Sequence, residues 1–177
     1  TEETYLASID GKTASLLGTA CRIGGIVADL PRDQIDALTT FGRSYGMAFQ
    51  IVDDLLDVTA TDEALGKPAG HDLVEGTYTL PIIRTLGAGG PAAVELSALL
   101  TRLRPIDGTL EPVADPDAIA EARELLRSTP AVQSALDTAR QFVEEGRQAL
   151  APYAGTEAAD ALGAASEHLL GTVDAAA

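Results

Sequence analysis

One stretch limits the fold more than any other. Residues 49–57 read FQIVDDLLD, which sets three carboxylates, Asp53, Asp54 and Asp57, inside an apolar run. On a helix each residue turns the chain by about 100°. With Asp53 at zero, Gly46 falls at about 20°, Asp57 at about 40°, Gln50 at about 60° and Asp54 at about 100°. Met47, Ala48, Phe49, Ile51, Val52, Leu55, Leu56 and Val58 fill the rest of the circle. A helix that is apolar outside one narrow stripe is buried, and its stripe must face something polar within the protein.

Carboxylates at helical spacing stand about 5–6 Å apart. At an effective dielectric of about 20, each such pair repels by roughly 3 kcal/mol. Three of them stay ionised on a buried helix if a cation sits among them or a water-filled cleft reaches them. Oxygen ligands with no His or Cys beside them suit magnesium, which takes few carboxylates and completes its shell with water and phosphate oxygens. DDxxD alone also describes a solvated acidic face. The apolar flanks and the loop that follows favour the metal.

The 177 residues are enough for one domain with a substantial core. At 46% hydrophobic the chain is no disordered segment. Aromatics make up only 4% and Trp is absent, while Ala and Leu abound, which favours packed helices over a β-sandwich. The formal charge is −15 and the pI about 4.3, which argues against a nucleic-acid partner. Such a protein still binds an anionic diphosphate if metal ions bridge the like charges. Cys21 is the sole cysteine, so it forms no internal disulfide; it reads as a small core residue. No apolar run reaches the length of a membrane span, and a cytoplasmic location is expected. The chain opens Thr-Glu-Glu with no Met, as part of something longer would.

Punctuation along the chain predicts helices and no strand. The first runs from Glu2 to about Ala28, with a kink or break at Asp10-Gly11, just before Lys12. Asp29 is expected to cap, and Pro31 to begin, a helix to about Val58. Gly42 and Gly46 in it permit a close neighbour. Residues 59–78 read as a loop long enough to be a functional lid, and they carry Lys67. Thr79 caps a helix that stays apolar through Leu86. Pro91, Pro116 and Pro130 start the next three, and Thr156 caps a last one to about Val173. The fold class is all-α, a helical bundle forming a single domain over residues 1–177.

Lys12, Asp53, Asp54, Asp57 and Lys67 together suggest a diphosphate site. The carboxylates hold magnesium, magnesium bridges diphosphate oxygens, and the lysines neutralise the outer oxygens. Drawing a diphosphate away from carbon leaves a carbocation, which needs a dry apolar cavity. Gln50 could turn its carbonyl dipole toward that cation, or hydrogen-bond a neighbouring helix. His71 and His168 read as solvated.

Three segments, KTA at Lys12–Ala14, GMAFQIVDDLLD at Gly46–Asp57 and GKPAGHDLVEGTYTLP at Gly66–Pro81, resemble in order and spacing the trans-type isoprenyl diphosphate synthases. The longer-chain polyprenyl synthases are the nearest likeness. The resemblance implies a partial isoprenoid-synthase fold, a homodimer, and condensation of an allylic diphosphate with isopentenyl diphosphate. It implies that Asp53 is a magnesium ligand supported by Asp54 and Asp57. It also implies that Lys12 and Lys67 contact the allylic diphosphate, that Thr13 and Gln50 line the carbocation, and that Asp72 is a polar anchor for substrate. Thr77 stands where the family usually has lysine. The family's first aspartate-rich motif, the arginines after it and the isopentenyl diphosphate site are not in these residues, so the chain resembles a C-terminal half and is expected to be inactive by itself. A non-catalytic helical subunit of a heteromeric prenyl synthase is the alternative. A class I terpene cyclase is disfavoured, because DDLLD is not the mixed Asn/Ser/Glu metal motif of cyclases.

Overall fold

A computed structural model describes residues 1–66, 68–104 and 115–176, and among them every regular element is a helix. Helix α1 (Glu2–Ile9) passes through a π-helical turn (Asp10–Ala14) into α2 (Ser15–Val27). The Ser15 N–H reaches back five residues to the Asp10 carbonyl. The kink expected at Asp10-Gly11 is this extra residue in the turn, a device that recurs at functional sites. It places Lys12 and Thr13 on the widened turn.

The chain reverses at Asp29, which is no cap as expected. It adopts a left-handed φ of 53°, and α3 (Arg32–Thr59) begins after Pro31 with no side chain capping it. The Asp29 N–H returns to the Ile26 carbonyl and the Leu30 N–H to the Gly25 carbonyl, so the reversal is a helix C-terminal motif.

At 28 residues α3 is about 42 Å long and is the axis of the molecule. Met47, Ala48, Ile51, Val52, Leu55 and Val58 are buried along it. Helix α2 and the π turn lie on one side, and α9 (Pro130–Ala149) on the other. Two glycines set the first approach. A Cβ on Gly46 would stand 2.6 Å from the Ala14 Cα, and one on Gly42 would stand 2.5 Å from the Leu17 carbonyl oxygen. Cys21 is half-buried at this seam, at its edge rather than in the core. On the α9 side, buried Ala135 and Ala139 give the same closeness with small side chains.

A second apolar cluster forms beyond the acidic end of α3. Leu73, Ile82, Leu96, Leu99, Leu100, Ala118, Ala122 and Leu126 pack with Val58. They come from α5 (His71–Glu75), α6 (Leu80–Ala88), α7 (Gly90–Arg102) and α8 (Pro116–Ser128). Helix α10 (Glu157–Ala176) closes against α3 and α9.

Proline marks four of these starts as expected. Asp115, Thr129 and Thr156 cap α8, α9 and α10 with their side chains. Thr79 does not cap α6, and its buried hydroxyl has no partner among the described residues. The expected loop from 59 to 78 also contains two short helical pieces, α4 (Asp62–Leu65) and α5. Lys67 and residues 105–114 lie outside the described residues.

Candidate functional site

The carboxylates of DDLLD do not share one environment. Asp54 is 7% exposed, and both of its oxygens have protein donors. The Tyr5 hydroxyl donates to Oδ2 at 2.7 Å and the Gln50 amide to Oδ1 at 2.9 Å. Burial still raises its pKa, against those two bonds and the Lys12 charge, which lower it. Asp57 is 6% exposed and accepts three backbone N–H groups. Gly70 and His71 donate to Oδ1, each at 3.1 Å, and Asp72 to Oδ2 at 3.0 Å.

Asp53 is exposed and has no side-chain hydrogen bond among the described residues. Sequence offered a cation or water as the way to keep three acids charged on a buried helix. The structure adds a third: donors of the protein itself for two of them.

Gln50 is buried, and its carbonyl accepts from the Thr13 hydroxyl at 3.0 Å. That is the hydrogen bond to a neighbouring helix weighed from sequence. The result is one chain of bonds, Thr13 to Gln50 to Asp54, with Tyr5 closing the far end. It ties the π turn to the acidic end of α3. Lys12, beside Thr13, is exposed on that turn. Tyr5 is the residue sequence reasoning missed. Its signal was position: it lies seven residues before Lys12, two turns of helix, so it shares the face that carries the lysine.

Asp72, on the first turn of α5, is half-buried. Its pKa is pushed up to about 7, first by burial and then by the charges of Asp54, Asp57 and Asp53. Thr77, where a lysine was expected, is exposed, and its N–H donates to the Asp72 carbonyl at 2.8 Å. His71 is exposed, with Nε2 at 3.1 Å from Glu75, and His168 is exposed on α10.

Among the described residues no three acidic, His or Cys side chains stand in ligand geometry. The donor set nevertheless suits a hard divalent cation. Asp53 offers oxygens with no side-chain partner among the described residues, and Asp72 is half-buried amid the charges of Asp54, Asp57 and Asp53. A groove of about 790 Å³ runs between α9 and α10 past Arg147 and Gly163, away from this stripe. No described helix is long and apolar enough to cross a membrane.

Known proteins resemble this chain in sequence and in fold. Nonaprenyl diphosphate synthase of Mycobacterium tuberculosis is 36% identical over 149 residues, which is 84% of this chain and 42% of that protein. Heptaprenyl diphosphate synthase component 2 of Geobacillus stearothermophilus is 40% identical over 115 residues, 59% of this chain and 36% of that protein. The crystal structure of geranylgeranyl pyrophosphate synthase from Corynebacterium glutamicum, complexed with calcium and isoprenyl diphosphate, superposes with a TM-score of 0.83 at 30% identity. It matches 97% of this chain with 50% of its own. The chain thus spans half or less of each of these relatives. The sequence pattern of the family described as Polyprenyl synthetase matches residues 1–107, more than half of the chain, and this protein belongs to that family.

Proposed function

We propose that residues 1–177 form one helical domain, the diphosphate-binding half of a trans-prenyl diphosphate synthase that condenses an allylic diphosphate with isopentenyl diphosphate. The observation that carries this is the unsatisfied acidic pair. Asp53 has no side-chain partner among the described residues, and burial, then the charges of Asp54, Asp57 and Asp53, push the Asp72 pKa up to about 7. Asp53, with Asp72 beside it, would hold magnesium, which would neutralise charge on diphosphate oxygens.

The rest is done by the chain. Lys12 presents its ammonium to the outer oxygens from the π turn. The Thr13–Gln50–Asp54–Tyr5 chain fixes that turn against α3. Phe49, one turn before Asp53, is 43% exposed and offers an apolar surface on the same face. In the reaction the allylic C–O bond breaks with its electron pair on the departing pyrophosphate. The isopentenyl alkene supplies the pair for the new C–C bond, and a proton is lost. Lys67 would act with Lys12, as the resemblance implies. The solved relative with calcium and isoprenyl diphosphate supports the ligand class. A homodimer and a cytoplasmic location belong to the same reading.

A second reading draws on the relative named as a component 2: a non-catalytic helical subunit of a heteromeric synthase. Turnover of allylic and isopentenyl diphosphates by the protein from the complete reading frame separates the two. The first reading expects turnover from that single chain, reduced about 100-fold or more by Asp53→Ala. Turnover intact in Asp53→Ala overturns the site. Turnover that needs a second, different chain selects the subunit.

A further inference from the structure

Four successive backbone N–H groups, from residue 69 to residue 72, are all donated to carboxylates. Ala69 donates to Asp62 at 2.9 Å, and Gly70, His71 and Asp72 donate to Asp57. Gly70 also reaches the Asp57 carbonyl at 2.9 Å. A carboxylate has about four lone-pair sites, and Asp57 has given three to this segment. The segment could not lie there with another residue at position 70. Gly70 has φ of 82°, and a Cβ on it would stand 2.5 Å from Ile119. Arg123, which packs against Gly70, donates to the Val58 and Ala60 carbonyls, so α8 also fixes the end of α3.

We propose that Asp57 is a positioning residue: its carboxylate straps the first turn of α5 to the end of α3, and so sets Asp72 beside Asp53, instead of taking the cation itself. This rests on the reading that Asp53 faces the cation. A charged acceptor suits the task, because the free N–H groups of a helix start carry partial positive charge. An amide at position 57 keeps one acceptor oxygen and turns an NH2 group toward one of the donors.

Residue-resolved amide exchange, on the protein from the complete reading frame, tests the strap. Without cation, Asp57→Ala speeds exchange at His71 and Asp72 by roughly ten- to a hundred-fold, the protection given by a charged hydrogen bond. Asp57→Asn keeps His71 protected and releases Asp72, a pattern that general destabilisation does not produce. Ala135 and Ala139 in the core report whether either variant has unfolded; if Asp57→Ala has, Asp57→Asn carries the test. Asp53→Asn leaves all four amides as they were.

Magnesium with inorganic pyrophosphate is then added to the unaltered protein. Unchanged or slower exchange at His71 and Asp72 supports the strap. Faster exchange there means Asp57 leaves the loop to ligate, and overturns it, as does unaltered exchange in both Asp57 variants. If magnesium and pyrophosphate change no amide in the protein, the diphosphate reading fails, and the cation-free comparison still decides the strap.

Discussion

Asp72 makes the sharpest statement at the scale of one residue. Folded, it keeps its proton up to about pH 7, against an ordinary value of 3.8. Between those values the folded protein binds more protons than the unfolded chain, so stability falls as pH rises from about 4 to 7 and levels off above. Asp72→Asn removes that fall. In urea unfolding without divalent cation, the variant should gain on the unaltered protein steadily from pH 4 to pH 7. A difference that does not vary with pH contradicts the raised pKa of Asp72. The aspartates themselves were legible in the sequence, because DDLLD stands out in an apolar run. The partners of Asp54 and Asp57 were not. Tyr5 is 49 residues from Asp54, and the donors to Asp57 are backbone groups with no side-chain signature.

At the scale of elements, the helix starts were legible where Pro and a capping Asp or Thr coincide, as at Asp115-Pro116. The two short pieces between 59 and 78 were not, since four or five residues show no period, and α5 is held by Asp57 from α3 rather than by local preference. The seam between α2 and α3 depends on glycine, and this is testable by contrast. Gly46→Ala drives a Cβ into the Ala14 backbone and should cost about 1–3 kcal/mol in denaturant unfolding, more than the helix propensity it gains. Gly24→Ala, on α2 with nothing within 4 Å, should instead stabilise by about 0.5–1 kcal/mol. Equal effects at the two sites would mean that the seam is looser than described.

The whole molecule has an unfinished side. Among the described residues six large apolar side chains are left exposed, and four of them, Leu16, Ile23, Ile26 and Val27, lie on α2. Leu16 is 67% and Val27 82% exposed. Burying such side chains is worth about 1.5–3 kcal/mol each. Each of these relatives carries as much chain again beyond the matched part, or more; if this chain is one half of a synthase, as proposed, the other half is what would cover α2. Leu16→Lys with Ile23→Lys should leave the stability of this chain alone nearly unchanged. In the protein from the complete reading frame it should lower the unfolding midpoint sharply. Equal small effects in both would leave the face without an occupant.

The central claim is that the exposed Asp53, together with Asp72 and Lys12, is where a divalent cation and a diphosphate meet. The most direct measurement is paramagnetic broadening of backbone amides by manganese added with inorganic pyrophosphate to the protein from the complete reading frame. The account predicts broadening centred on Lys12, Asp53 and Asp72 that Asp53→Asn removes. Broadening centred on another acidic cluster, such as Glu144 and Glu145, or left unchanged by Asp53→Asn, would contradict it.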